Sequence, residues 1–220
     1  MPSQYYKLIR KDWNHHGVQY EVGPTMVITR FLADLDNPIG GYFICKKADI
    51  PYWLHLYTDF AWVCQVVLPD ATRIAEGRRK AKVDRMVLVN PQPITDFLEA
   101  EFTTKELIDI SLKNVHVIPY IQSEAVLRGI IRINPVLLTH IPYVGRSTEL
   151  CNIAVYGDPK MLIDVPSYNQ TKELCEYATM MDKSFVYLIK NTHMRDYVGS
   201  KLDRWWSVSQ QRWKLGLEWS

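Results

Sequence analysis

The second half of the chain echoes itself at a fixed interval, and that interval limits what it can fold into. Asn134-Pro135-Val136-Leu137-Leu138 returns as Asp158-Pro159-Lys160-Met161-Leu162, and Glu149-Leu150-Cys151 returns as Glu173-Leu174-Cys175, each displaced by 24 residues. A period of that length marks short helical units that cannot bury both faces alone, so neighbours must stack. Thr104-Lys105-Glu106-Leu107 matches Thr171-Lys172-Glu173-Leu174 at close to three such periods. A weaker copy lies between, where Ser123-Glu124-Ala125-Val126 takes the Glu-Leu place and Ile118-Pro119-Tyr120 aligns with Ile141-Pro142-Tyr143. Thr103 and Glu106 have the spacing of a capping box, which starts the helical half there. The expectation is about four repeats of 23–24 residues over 103–190.

Beyond the repeats, residues 191–220 hold four of the seven tryptophans, Trp205, Trp206, Trp213 and Trp219, with Arg204 and Arg212 among them. Interface hot spots are rich in Trp and Arg, so these six are the candidate partner-binding residues of a helical docking tail. The competing reading is a cap whose aromatics cover the last repeat. The final corner, at Asp182, keeps its acid but loses the proline, as a terminal unit should.

Residues 1–95 follow a different rhythm. Short β-rich runs at Tyr5–Ile9, Thr25–Leu32, Gly41–Cys45, Ala61–Leu68 and Val83–Val89 are separated by turn-forming residues. Between the third and fourth, 48–57 reads as a helix crossing the sheet, with Asp49 as N-cap and Pro51 in its first turn. The expected fold class is therefore a small α+β domain with a mixed or antiparallel sheet and a crossing helix, followed by an α-helical repeat array.

With 47% hydrophobic residues and a formal net charge of +2, the chain has a core and no charge excess that demands nucleic acid or an anionic surface. The basic run Arg78-Arg79-Lys80, with Lys82 and Arg85, reads as a solvated hairpin connection. Cys45, Cys64, Cys151 and Cys175 form no C-x-x-C pair and two share a repeat position, which suits small buried residues in a reducing compartment. No apolar run of about 18 residues and no signal-peptide pattern is present, so an intracellular protein without a membrane span is expected. His15 and His16 diverge in direction and lack a third ligand at metal-binding spacing, so no metal site is expected. Tyr42, Tyr52, Trp53 and Tyr57 either line a ligand slot or pack a strand–helix junction.

Three stretches carry a resemblance. They are 16–23 (His-Gly-Val-Gln-Tyr-Glu-Val-Gly), 40–54 (Gly-Gly-Tyr-Phe-Ile-Cys through Ile-Pro-Tyr-Trp-Leu), and 66–71 with 80–88 (Val-Val-Leu-Pro-Asp-Ala, then Lys-Ala-Lys-Val-Asp-Arg-Met-Val-Leu). Together they resemble an uncharacterised module of giant DNA viruses and some phages, over most of residues 5–90. Val18 stands where that pattern has Phe, and a Leu is missing between Gly41 and Tyr42. The repeats are similar to short helical repeats that such viral proteins carry in tandem. The resemblance implies a two-part architecture in the host cytoplasm of an infected cell or in the virion, and no known activity.

More loosely, the strand–helix order is similar to the centre of ADP-ribosyltransferase-like folds. That likeness implies NAD as cofactor, with Tyr42, Tyr52 or His16 beside it and Glu101, from Glu99-Ala100-Glu101, stabilising an oxocarbenium-like transition state. A catalytically silent relative is the other form of this alternative. The leading expectation is a non-enzymatic interaction or structural protein, without a cofactor, that binds a protein partner or assembles with itself.

Overall fold

Strand β1 (Tyr5–Arg10) is buried on both faces, as in a strand covered on both sides, and it sits in the middle of a seven-stranded antiparallel sheet. The computed structural model describes residues 4–15 and 17–214, with the backbone alone for Asp203 and residues 205–214. The other strands are β2 (Asn14–His15), β3 (Val18–Gln19), β4 (Thr25–Val27), β5 (Tyr42–Lys46), β6 (Phe60–Val67), β7 (Ile74–Glu76), β8 (Ala81–Val83) and β9 (Arg85–Pro93). The sheet runs β4-β9-β6-β1-β5-β8-β7, while β2 and β3 form a separate small hairpin that the hydrophobic pattern does not announce. Chain contacts divide the protein into two compact units, Met1–Ser123 and Glu124–Ser220.

One face of the sheet buries Ile9, Tyr42, Ile44, Cys64, Met86 and Leu88 in a single cluster. On the other lies α2 (Ile94–Glu101), introduced after α1 (Ile50–Trp53), and its Phe97 meets Tyr6 edge-on with centroids 5.2 Å apart. The crossing helix is shorter than 48–57: a 3-10 turn at Lys47–Asp49 leads into the single α turn of α1, and the Asp49 side chain makes no capping bond. The run expected over Thr25–Leu32 ends at Val27, and Asp34 and Asn37 fold the next segment into turns by accepting from the N–H two residues on. The expected Val83–Val89 strand is two strands broken at Asp84. Its fully buried carboxylate accepts from the Arg73 backbone N–H and Nε, both at 2.8 Å.

Helix α3 (Thr104–Lys113) opens on the expected capping box: Thr103 Oγ1 accepts from Glu106 N–H while Thr103 N–H donates to the Glu106 carboxylate at 2.8 Å. It nevertheless belongs to the first unit, so the division follows Ser123 rather than lying near Thr103. Two long-range contacts explain this. Asn114 Nδ2 donates to the Pro51 carbonyl at 2.7 Å, and the Glu99 carboxylate accepts the Gln122 and Ser123 N–H groups.

The second unit contains α4 (Glu124–Ile133), α5 (Thr148–Gly157), α6 (Lys172–Met181) and α7 (Thr192–Lys214). The first three are each followed by a six-residue 3-10 helix, at Pro135–His140, Pro159–Asp164 and Lys183–Leu188, and α3 is followed by another at Val115–Tyr120. All four of these 3-10 helices start from an Asn or Asp, at 114, 134, 158 and 182, whose side chain accepts the N–H two residues on. Inward positions pair large with small: Leu150, Cys151 and Ala154 on α5, and Leu174, Cys175 and Ala178 on α6, are all buried. Burial pushes the Cys151 and Cys175 thiols up to about 11.

Two sequence alignments shift when the elements are compared. Short 3-10 corners at Tyr143–Gly145 and Ser167–Asn169 precede α5 and α6. The chain passes from the 3-10 helix at Val115–Tyr120 to α4 without such a corner. The helices begin at Thr104, Glu124, Thr148 and Lys172, so the step from α3 to α4 is shorter than the two equal steps that follow. Pro119 consequently lies inside a 3-10 helix while Pro142 follows one, so the two Ile-Pro-Tyr triplets are not equivalent. The N-caps are Thr103 and Thr171, whereas the sequence match equates Thr104 with Thr171, one position out of helical register.

Candidate functional site

The sheet of the first unit contains a split. β1 pairs with β6 from Tyr5 to Arg10, but with β5 only at Tyr5↔Lys46 and Tyr6↔Cys45. From Lys7 onward the β5 side of β1 is unpaired, and two cavities meet the opening. The larger, about 690 Å³, is walled by Tyr20, Tyr42, Phe43 and the backbone around Gly40. The smaller, about 190 Å³, is walled by Tyr6, Trp53, Tyr57 and Phe60. Lys7, His15 and Phe43 line both.

Lys7 is 5% exposed. Its ammonium lies 5.0 Å from the centroid of the Tyr20 ring, a cation–π contact, and Tyr20 in turn stands edge-on to Tyr42 at 6.2 Å. Among the described residues no carboxylate pairs with it and no oxygen accepts from it. Burial lowers the Lys7 amine to about 8, with the neighbouring Cys45 and Cys64 thiols opposing the shift. Those thiols, themselves raised by burial to about 12 and about 11, stay protonated and cannot neutralise it.

A second buried lysine shows what satisfaction looks like. Lys82, fully buried on β8, donates to the Asp34, Asn37 and Ile39 carbonyls at 2.9, 2.8 and 2.7 Å. These three bonds hold the 34–39 segment that walls the larger cavity. Lys82 is thus a structural clamp, not part of a solvated basic connection, because the antiparallel β5–β8 pairing turns it inward against Gly41. Lys80 and Lys82 also approach the Phe43 ring, at 5.0 and 5.4 Å. Lys7, Arg30, His15 and Lys80 line the two cavities, and among the described residues no Asp or Glu does.

The residues singled out from sequence are scattered. Tyr42 and Tyr57 do line the cavities. Tyr52 is 41% exposed on α1, with the Arg79 guanidinium 4.0 Å over its ring. Glu101 ends α2 and pairs with Lys47 at 3.1 Å, Glu99 is occupied by the 122–123 backbone, and both are on a helix rather than a strand. Neither glutamate lines the cavity that contains Tyr42. His16 lies outside the described residues, as does Trp219, and the side chains of Trp205, Trp206, Arg212 and Trp213 lie outside them too. Arg204 is exposed on α7. Lys7 and Tyr20 escape the sequence reading. A signal exists for Lys7: it stands between Tyr5 and Ile9, the inward positions of an alternating strand.

On the second unit, apolar side chains recur in the open at matched places. Tyr156 and Met180 end successive helices, Ile163 and Tyr187 sit in successive 3-10 helices, and Val144 and Tyr168 occupy successive corners. Each pair is separated by the interval of the sequence echo, and each member is at least 50% exposed. Tyr168 stands edge-on to Tyr143 at 6.2 Å, and Tyr177 to Tyr156 at 4.6 Å. Among the described residues no helix is long and apolar enough to cross a membrane, and no group of three His, Cys, Asp or Glu could hold a metal ion. No protein-family model, curated protein or solved structure matches the chain.

Proposed function

We propose that the chain is a non-enzymatic interaction protein whose helical half is a repeat array that binds a protein partner. The observation that carries this reading is the recurrence of exposed Tyr, Met, Ile and Val at matched positions one period apart, since a repeat array brings such positions onto one surface. Stacked repeats generate extended surfaces of this kind, and aromatic side chains supply most of the binding energy at such contacts. On composition alone, Trp205, Trp206, Trp213 and Trp219 with Arg204 and Arg212 are further candidate partner-binding residues. The motif likeness of the first unit makes an infected cell or a virion the setting in which to look.

The test is crosslinking and recovery of partners with the full chain, compared with a Tyr156→Ser/Tyr168→Ser/Tyr187→Ser variant. About a tenfold loss of one defined protein, with an unchanged thermal melt, is the expected result for hot-spot removal. Undiminished recovery contradicts the reading. Self-association would instead give a concentration-dependent mass in sedimentation that the same variant abolishes.

A further inference from the structure

We infer that the cavity at the β1–β5 split binds a small ligand with an apolar body and one anionic group, and that Lys7 is the counter-ion. The inference uses the first unit alone and is independent of the partner surface. Four observations converge. The larger cavity, at about 690 Å³, falls in the range that encloses small organic ligands. Its walls offer the faces and edges of Tyr20, Tyr42 and Phe43, which suit a flat apolar body. A lysine only 5% exposed, whose ammonium has neither acceptor nor carboxylate among the described residues, stands on β1 where the strands part. No acidic side chain among the described residues lines either cavity, so the remaining cations there repel a cationic ligand and favour an anion.

The contrast with Lys82 is what directs the inference toward a ligand. Burying an ammonium is costly, and the fold meets that cost in full at Lys82 with three carbonyls. At Lys7 it supplies one aromatic face, and the residue lines both cavities. A carboxylate, sulfonate or phosphate on a bound molecule would complete the set, forming a charge-assisted hydrogen bond.

The test uses two matched fluorescent probes with the full chain. They are 8-anilinonaphthalene-1-sulfonate and its uncharged parent, N-phenyl-1-naphthylamine. The wild type is expected to bind the sulfonate at least about tenfold more tightly than the parent. Lys7→Met, which keeps the length and apolar stem, is expected to weaken the sulfonate about tenfold or more and leave the parent within about twofold. A wild type that does not bind the sulfonate, a Lys7→Met that binds it unchanged, or a variant that loses both probes together overturns the inference.

If Lys7→Met does not fold, the wild type decides through pH. The titratable groups facing Lys7 are Tyr20, Cys45, Cys64 and His15, with Lys80 and Lys82 beyond Phe43. Tyr20, Cys45 and Cys64 are all raised to about 11 or 12, above the window of interest, and Lys82, whose amine burial also lowers, already gives its donors to the Asp34, Asn37 and Ile39 carbonyls. Sulfonate affinity should therefore fall between pH 7 and 9.5 while the parent's holds. A constant sulfonate affinity, or a parallel fall of both probes, contradicts Lys7 as counter-ion.

Discussion

Lys82 runs directly over Gly41, so closely that a β-carbon on the glycine would lie 2.6 Å from Lys82 Cγ and 2.7 Å from Cε. The missing side chain lets the lysine stem through, and the ammonium beyond it fastens the 34–39 segment. Gly41→Ala must displace either the β5 backbone or the lysine. We expect a loss of about 2 kcal/mol, typical of overpacking, read as a lower urea midpoint with an unchanged slope. An alanine variant as stable as wild type would mean that the stem has room to shift.

Removing the clamp itself should cost more. Lys82→Met leaves the Asp34, Asn37 and Ile39 carbonyls without their donor. Charged hydrogen bonds contribute about 1.5–3 kcal/mol each before water replaces part of the loss, so a net destabilisation of about 3 kcal/mol is expected. Amide hydrogen exchange should accelerate first in 34–41.

Asp84 predicts an acid limb of instability. Burial by itself raises its carboxyl, but the Arg73 side-chain and backbone hydrogen bonds, joined by Arg85, outweigh burial and hold the group below the ordinary carboxylate range. A native value below the unfolded one means that the unfolded chain binds the proton first. The stabilisation is therefore present above the unfolded carboxylate value and disappears as pH falls through the native one. Asp84→Asn should be less stable at pH 7 by about 2 kcal/mol and should lose less than wild type on going from pH 5 to pH 3 in urea titrations. Parallel pH profiles would remove Asp84 from the account of acid sensitivity.

In the second unit, Gln170 bridges three chain segments. Its Nε2 donates to the Leu162 and Leu188 carbonyls at 2.9 and 3.1 Å, and its Oε1 accepts the Lys190 N–H at 2.7 Å. Gln170→Leu keeps the volume, orphans the Leu188 carbonyl and the Lys190 N–H, and leaves the Leu162 carbonyl only the Val165 N–H at 3.3 Å. A loss of about 3 kcal/mol is expected, with cooperative unfolding of α6 and the following 3-10 helix in hydrogen exchange. Asp158→Ala, which removes one solvent-facing cap, should cost only about 1 kcal/mol.

What is legible in the sequence follows from local chemistry. Thr103 and Glu106 announce their capping box because both partners lie within one turn, and Asn134 and Asp158 announce their corners for the same reason. The split between β1 and β5 is invisible at that range, since it depends on which residues of distant strands fail to pair. Lys82 reads as solvated because a lysine in a basic run ordinarily is, and its three carbonyl partners lie in a different segment, at 34–39. Glu99 and Glu101 form a suggestive pair on paper, but α2 gives one to the 122–123 backbone and the other to Lys47. The interval of the echo reappears as the spacing of α4, α5 and α6, where a corner turn precedes the next helix, and shortens between α3 and α4, where none does.

Lys7 carries the most direct test. With its native value near 8 and an ordinary value of 10.5, Lys7 is protonated in the unfolded chain and has released its proton in the native one between those limits, so its own contribution to stability rises with pH across the window. That contribution runs against the opposite slope of the buried Cys45, Cys64, Cys151 and Cys175 thiols, and is read as the difference between wild type and Lys7→Met. The span corresponds to about 3 kcal/mol, which should appear as the pH-dependent difference between wild type and Lys7→Met. The decisive measurement is the lysine side-chain carbon titration by NMR, with the Lys7 Cε resonance assigned by its loss in Lys7→Met. A midpoint of about 8, moving upward when the anionic probe binds, is the result expected of a buried ammonium awaiting its counter-ion. A midpoint at the ordinary value of 10.5, unmoved by the probe, would contradict it.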